Sequence, residues 1–388
     1  MTLQKLHLPD TGNSIALFAI AALIGGLGWG GNPALHFLAL LYPFVYIHSR
    51  RRLDTLSAVF YYASSTWPII PGAQSFFQTG HHFGKPIAIW IAITALGSLP
   101  WILFYHRRFL PLSAIAALLA LALPPMGLVT VAHPLIATGI WFPSTRWFGL
   151  ALPLILIAVH RRLETPLVFV VLILASLAVH ARSVRSVADP HIVPVNTKFG
   201  NEGGSGAQAA EHTIRQIALA HPNALLIFPE SVIPDWSASH DARWASTFAQ
   251  LSAQRTGILI GTTIPIPNSQ ANRNVLLSRG FTEHLSYVQR VPIPLGMWQP
   301  GESRRGFPLS LRFPAAIRVW NRRAGVLLCY EQMAFWPAVQ TMARNPEMLI
   351  APSNLYWARD TSIPAIQHLA AQDWGDLWAI PLYEARNL

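Results

Sequence analysis

Apolar residues are spread very unevenly along the 388-residue chain, and that unevenness limits what it can fold into. Long apolar runs fill residues 13–181, at roughly 13–30, 34–48, 55–72, 86–105, 110–132, 147–159 and 166–180. The remainder mixes polar and apolar segments as a globular domain does. Each run is a candidate membrane helix, because a bilayer core takes about 20 apolar residues per crossing. The run at 147–159 is short, and must borrow from "GIWFPSTRW" or lie beside a thinned region. Composition agrees, with 52% of residues hydrophobic and 12% charged, against roughly 25% charged in a soluble domain. Two units are expected: an α-helical polytopic transmembrane domain over 1–185 and an α/β or α+β domain over 186–388.

The connections orient the helices. "HSRRRLD" (48–54), "YHRRF" (105–109) and "HRRLE" (160–164) fall at every second connection, and basic loops mark the cytoplasmic side. The alternate connections, "GGLGWGGNP", "PGAQSFFQTGHHFGKP" and "AHPLIATGIWFPSTR", carry only Lys85 and Arg146 besides histidines and are expected outside. With Lys5 inside and seven crossings, parity predicts that everything after residue 181 is outside, the periplasm for the inner membrane of a Gram-negative cell. The first run is not expected to be a cleaved signal, since it has no clear small-residue cleavage site and six more runs follow. The basic loops also account for the net charge of +11, which no nucleic-acid recognition motif accompanies, so direct nucleic-acid binding is not expected.

From residue 186 on, strand-like segments ("HIVPVN", "ALLIFPES", "GILIGTTI", "RNVLLS", "HLSYVQRVPIP", "IRVW", "AGVLLCYEQ", "EMLIAPSN") alternate with helix-like ones, predicting a mainly buried sheet. Four strands end in chemically useful groups: Glu230, the 289–297 segment, Cys329 and Asn354. Strand ends of this kind converge on one mouth. Cys329 is the only cysteine, which excludes an intramolecular disulfide. It reads either as a small core hydrophobe or as a nucleophile. Glu230 after a proline also suits a helix cap, and Asn354 after a strand suits a turn. The fifteen histidines show no metal-ligand spacing, and neither a metal nor a cofactor is expected.

"LLIFPES", "AGVLLCYEQ" and "MLIAPSNLYW" resemble, in order and spacing, the glutamate, cysteine and Ser-Asn-x-x-Trp motifs of the carbon-nitrogen hydrolase (nitrilase) superfamily. Seven spans followed by such a domain resemble, more narrowly, the apolipoprotein N-acyltransferases. "YVQRVPIPLGMWQP" lies where those enzymes have Tyr-x-Lys-x-x-Leu-Val-Pro-Phe-Gly-Glu, and "QHLAAQDWGDLWAIPLYEARN" is similar to their closing segment. Among their relatives, plasmid conjugal-transfer proteins combine a similar membrane half with a divergent active-site segment. The resemblance implies a nitrilase-like α-β-β-α sandwich and thioester chemistry. A glutamate takes the thiol proton, the thiolate attacks an amide or ester carbonyl, and a lysine stabilises the oxyanion. Carried over, Glu230 is the base and Cys329 the nucleophile, with Asn354 and Trp357 as supports of the pocket.

The departures fall in the third motif. Aligning Pro294 and Gly296 with the family's Pro and Gly places Gln289 at the catalytic lysine and Met297 at an accessory glutamate. Gln289 can donate a hydrogen bond but brings no charge, and losing one oxyanion donor typically costs about 100- to 1,000-fold in rate. Arg290 is a substitute only if the register shifts by one residue, because strand neighbours face opposite ways. Glu331 shares the face of Cys329 if the strand persists, as a second acid beside the substrate or as a solvated one. No apolar run follows for the eighth span of the acyltransferases, so the outer domain is expected to be tethered at one end.

Two classes of function stay open. One is an acyltransferase or amidase; the other is a non-catalytic component with an assembly or binding role in a conjugation apparatus, partnered by other conjugal-transfer proteins. Trp67, Phe76, Phe77, Trp141, Phe142, Trp147 and Phe148 fall at the height of the outer leaflet, with Met297 and Trp298 able to lean onto the same surface. They form either an ordinary aromatic belt or an apolar entrance for a membrane lipid or acylated substrate.

Overall fold

The computed structural model describes residues 10–160, 165–183, 186–200, 205–282, 286–299, 301 and 305–388. Lys5, most of the basic segment 160–164 and the boundary near residue 185 lie outside the described residues.

The N-terminal region is helical. Its helices are α1 (Asp10–Gly28), α2 (Tyr42–Tyr46), α3 (Ser57–Thr66), α4 (Ile69–Phe76), α5 (Gly84–Leu103), α6 (Leu110–Ala122), α7 (Met126–Val129), α8 (Thr138–Trp141), α9 (Trp147–Val159) and α10 (Thr165–His180). Among the described residues only α5 is long and apolar enough to cross a membrane; Ser14–Gly28, His36–Tyr46, Trp147–Val159 and Leu167–His180 are apolar but shorter. The seven expected spans are therefore not seven full-length helices. Two runs break at prolines, which lack the N–H a helix needs: 55–72 at Trp67–Pro68, and 110–132 after Ala122, just before Pro124 and Pro125. The surface of this region is nonetheless apolar. Among the described residues, every exposed large hydrophobic side chain except Val187, Phe281 and Leu295 lies within residues 15–177.

All three Gly- and aromatic-rich connections meet the C-terminal domain. Gly31 lies against Ser362 and Ala365, Phe76 packs edge-on to Trp357, and Gly139 sits so close to the Asp373 backbone that no Cβ fits. The N–H groups of Ser144 and Arg146 donate to the carbonyls of Asp376 and Leu377 at 2.8 and 2.7 Å. Buried His36 joins the units through Asp373 Oδ2 at 2.9 Å. Two of the basic connections approach each other, the rings of His48 and His160 being 5.5 Å apart. One core cluster runs from Tyr42, Tyr61 and Trp101 to Phe335, Trp374 and Trp378, so the two units share an interior.

The C-terminal domain contains β1 (Ile192–Pro194), α11 (Ser205–Leu219), β2 (Leu225–Ile227), α12 (Ala238–Ala253), β3 (Gly257–Pro265), β4 (Gln270–Gly280), β5 (Tyr287–Val288), β6 (Arg305–Gly306), β7 (Ala316–Val319), β8 (Arg322–Val326), α13 (Phe335–Met342), β9 (Met348–Asn354), α14 (Ile363–Trp378) and β10 (Leu382–Asn387). One sheet has the order β1-β2-β3-β4-β5, with β6 also on β4; the other has the order β10-β9-β8-β7. Leu225, Ile227, Leu259 and Leu276 of the first sheet pack against Val326, Met348, Ile350 and Ala385 of the second. On its other face the first sheet carries α11 and α12 through Ile214, Trp244 and Leu251, while α13 and α14 cover the second on the side of the helical region. This is the α-β-β-α layering that the sequence leads one to expect.

Candidate active site

Glu230, Cys329 and Asn354 come together where β2, β8 and β9 end. Gly261 on β3 makes room for the first: a Cβ there would collide with the Pro229 carbonyl and Glu230 Cα. The second follows from an interruption. Strand β8 stops at Val326, and Cys329 opens a 3-10 turn (Cys329–Gln332) with its own φ at +53°, a left-handed conformation that costs a non-glycine residue about 1–3 kcal/mol. Gln367 holds this turn by donating Nε2 to the Cys329 carbonyl at 3.1 Å, and Gln332 Nε2 reaches the carbonyls of Leu327 and Pro352 at 3.1 and 3.2 Å.

The thiol of Cys329 adjoins the Glu230 carboxyl, both side chains being buried. Glu230 also accepts the Asn354 N–H at 3.0 Å on Oε2 and the side-chain amide of Asn274 on Oε1. Burial pushes the carboxyl above its ordinary range, while these donors pull the other way. Burial and the adjoining carboxylate push the thiol well up, against the N–H groups of Asn354 and Tyr330, which face the sulfur. Both shifts favour the neutral forms, so the resting thiol keeps its proton beside a carboxyl that takes it once ionised.

Gln289 is buried in a fixed hydrogen-bond frame. Its Oε1 accepts Asn274 Nδ2 at 3.0 Å and its Nε2 donates to the Leu328 carbonyl at 3.1 Å, so Asn274 bridges Gln289 and Glu230. Sequence reasoning missed Asn274, Gln332 and Gln367. Asn274 sits inside the long strand β4 with no motif around it, and the two glutamines lie in helical or turn segments where polar residues are ordinary.

Arg290 is not brought to Cys329. Its guanidinium lies among Tyr287 OH at 2.9 Å, Thr341 Oγ1 at 2.8 Å and Glu331 Oε1 at 3.6 Å. Burial works against its charge, and Tyr287 and Glu331 more than offset that. Glu331 is likewise neither solvated nor on the face of Cys329, because the strand ends before the thiol. It accepts Tyr287 OH at 2.6 Å and the N–H groups of Leu328, Arg290 and Val291 at 2.9, 2.7 and 3.1 Å.

A cavity of about 500 Å³ opens from Cys329 toward the helical region. Its wall is almost wholly apolar, with Phe76 and Phe77 at α4, Ile93 and Leu96 on α5, and Trp298 and Trp357 from the domain. Trp357 is fixed by Nε1 donating to the Asn354 carbonyl at 3.0 Å. Met297 is half-buried in the neighbouring turn but is not on the wall, its carbonyl accepting the Phe307 N–H at 2.8 Å. Of the expected entrance aromatics, Trp67, Trp147 and Phe148 are exposed, whereas Phe142 is buried.

No protein-family profile matches the chain. It is 28% identical over 386 residues to a probable conjugal transfer protein TraB from Sinorhizobium fredii, covering 96% of this chain and 97% of the relative. It is 27% identical over 395 residues to the conjugal transfer protein TraB of Agrobacterium fabrum, covering 96% and 92%. The chain is thus similar to the TraB proteins over nearly its whole length. The similarity to TraB runs through both the helical region and the site domain. Among solved structures, a nitrilase-superfamily amidase from Nesterenkonia sp. AN1 is 17% identical, covering 52% of this chain and 78% of that one with a TM-score of 0.35.

Proposed function

We propose that the chain is a membrane-embedded, carbon-nitrogen-hydrolase-like enzyme of conjugal plasmid transfer that forms a thioester on Cys329 with an acyl group drawn from the bilayer. The observation that carries this reading is Cys329 on the wall of an apolar cavity with the buried Glu230 carboxyl adjoining its thiol. Glu230 takes the thiol proton as the sulfur attacks an ester or amide carbonyl, and returns it to the departing alcohol or amine. The Tyr330 N–H, which faces the sulfur, is the donor available to the developing oxyanion, the Asn354 N–H being held by Glu230. Water or an amine then releases the acyl group. An apolar wall favours a lipid acyl chain over a small polar amide.

Two observations support a membrane setting with seven crossings and an outer domain. The helical region leaves its large apolar side chains exposed, as a protein surrounded by lipid does. The three connections without Arg/Lys clusters all meet the domain, while two of the basic ones approach each other.

A second reading has a specific observation behind it. With Gln289 held between Asn274 and Leu328 and Arg290 turned to Glu331, neither supplies a cation to Cys329. A nitrilase fold kept for an assembly role in conjugation would tolerate that loss. Complementing a deletion strain with Cys329→Ala separates the two: loss of plasmid transfer with normal protein level supports the enzyme, and full transfer leaves the assembly role.

A further inference from the structure

The domain has a second cavity, of about 760 Å³, that shares no lining residue with the apolar one. It lies between the edge hairpin β7–β8, the segment 311–316 and the C-terminal end of α13. Arg312, Arg318, Arg323 and Arg344 line it, and Glu347 is the one carboxylate on its wall. All four arginines are exposed, and none pairs with a carboxylate among the described residues. Glu347 is engaged by the Arg323 backbone N–H, at 2.7 Å.

The hairpin register sharpens the point. Arg318 and Arg323 stand directly opposite each other on antiparallel strands, so their side chains leave the same face. Like charges in that position destabilise a strand pair. Arg312 and Arg344 bring further positive charge to the same space, so the free protein carries a repulsion that an anion would relieve. Guanidinium forks match phosphate oxygens two at a time, and the volume is that of a small-molecule site. The geometry points to an anion site for a phosphate-bearing ligand, either a soluble phosphate ester or a lipid headgroup.

The test uses the full-length protein and its thermal midpoint at low ionic strength. Sodium pyrophosphate is added in detergent, and separately the protein is placed in phosphatidylcholine nanodiscs with or without phosphatidylglycerol. The site predicts a rise of about 3 °C or more at saturation, absent in the double variant Arg318→Gln, Arg344→Gln. The rate of Cys329 alkylation in that variant should equal the wild-type rate, since neither residue touches the thiol site. A rise with pyrophosphate assigns a soluble phosphate compound; a rise with phosphatidylglycerol alone, lost in the variant, assigns a lipid headgroup. No rise with either probe, or an equal rise in the variant, overturns the proposal.

Discussion

Glu331 accepts the backbone N–H of Arg290 at 2.7 Å and lies 3.6 Å from its guanidinium, both side chains being closed to water. This pairing turns the cation adjacent to Gln289 away from Cys329. It also makes Glu331 a structural anchor with four donors on its two oxygens besides the guanidinium. Removing one partner of a buried ion pair typically costs about 3–5 kcal/mol, so Glu331→Ala should lower the unfolding free energy by that order. Thermal or denaturant unfolding checks it, and a loss below about 1 kcal/mol contradicts the assignment.

The Glu230 carboxyl gives a pH signature. Burial holds it above its ordinary value of 4.5, so the folded protein keeps a proton that the unfolded chain has released. Its contribution to stability is therefore full below 4.5 and falls as pH rises through the folded value. Glu230→Gln should remove that slope. Asn274→Ala takes away one of the donors that hold the carboxyl down and should extend the slope to higher pH; unfolding midpoints measured from acid to neutral pH decide both.

Gln289→Lys returns an ammonium to the frame beside Glu230. An added positive charge favours the thiolate, so alkylation of Cys329 by iodoacetamide at neutral pH should quicken by about 10-fold or more. An unchanged rate would mean that position 289 exerts no field at the sulfur.

Topology is open to reporter fusions. Alkaline phosphatase joined after Leu388 should be active and joined at Arg52 inactive, because the proposed seven-crossing arrangement would put the first outside and the second inside. The reverse pattern would overturn it.

The parts of the fold legible in the sequence are those where period and composition agree. The apolar runs of the N-terminal region become helices, and "ALLIFPES", "GILIGTTI" and "EMLIAPSN" become β2, β3 and β9. Legibility ended where tertiary contact decides. "AGVLLCYEQ" reads as one strand, yet its last four residues turn into a 3-10 helix held by Gln367, which is 38 residues away. His36 and Asp373 meet across 337 residues, a contact no local pattern announces. Of the site, Glu230, Cys329 and Asn354 were named by strand ends and resemblance, whereas Asn274 emerged only when β4 was laid beside the base. The apolar cavity belongs to neither half alone, so no segment of sequence contains it.

The central claim is a thioester on Cys329, and mass measurement of the peptide containing that residue tests it most directly. After incubation of the purified protein with phospholipid and trapping of the intermediate, the account predicts a fatty-acyl mass on Cys329 that is absent in Glu230→Ala. Acylation by small amides but never by phospholipid would contradict the lipid substrate, and an unmodified Cys329 with either donor would contradict the thioester itself.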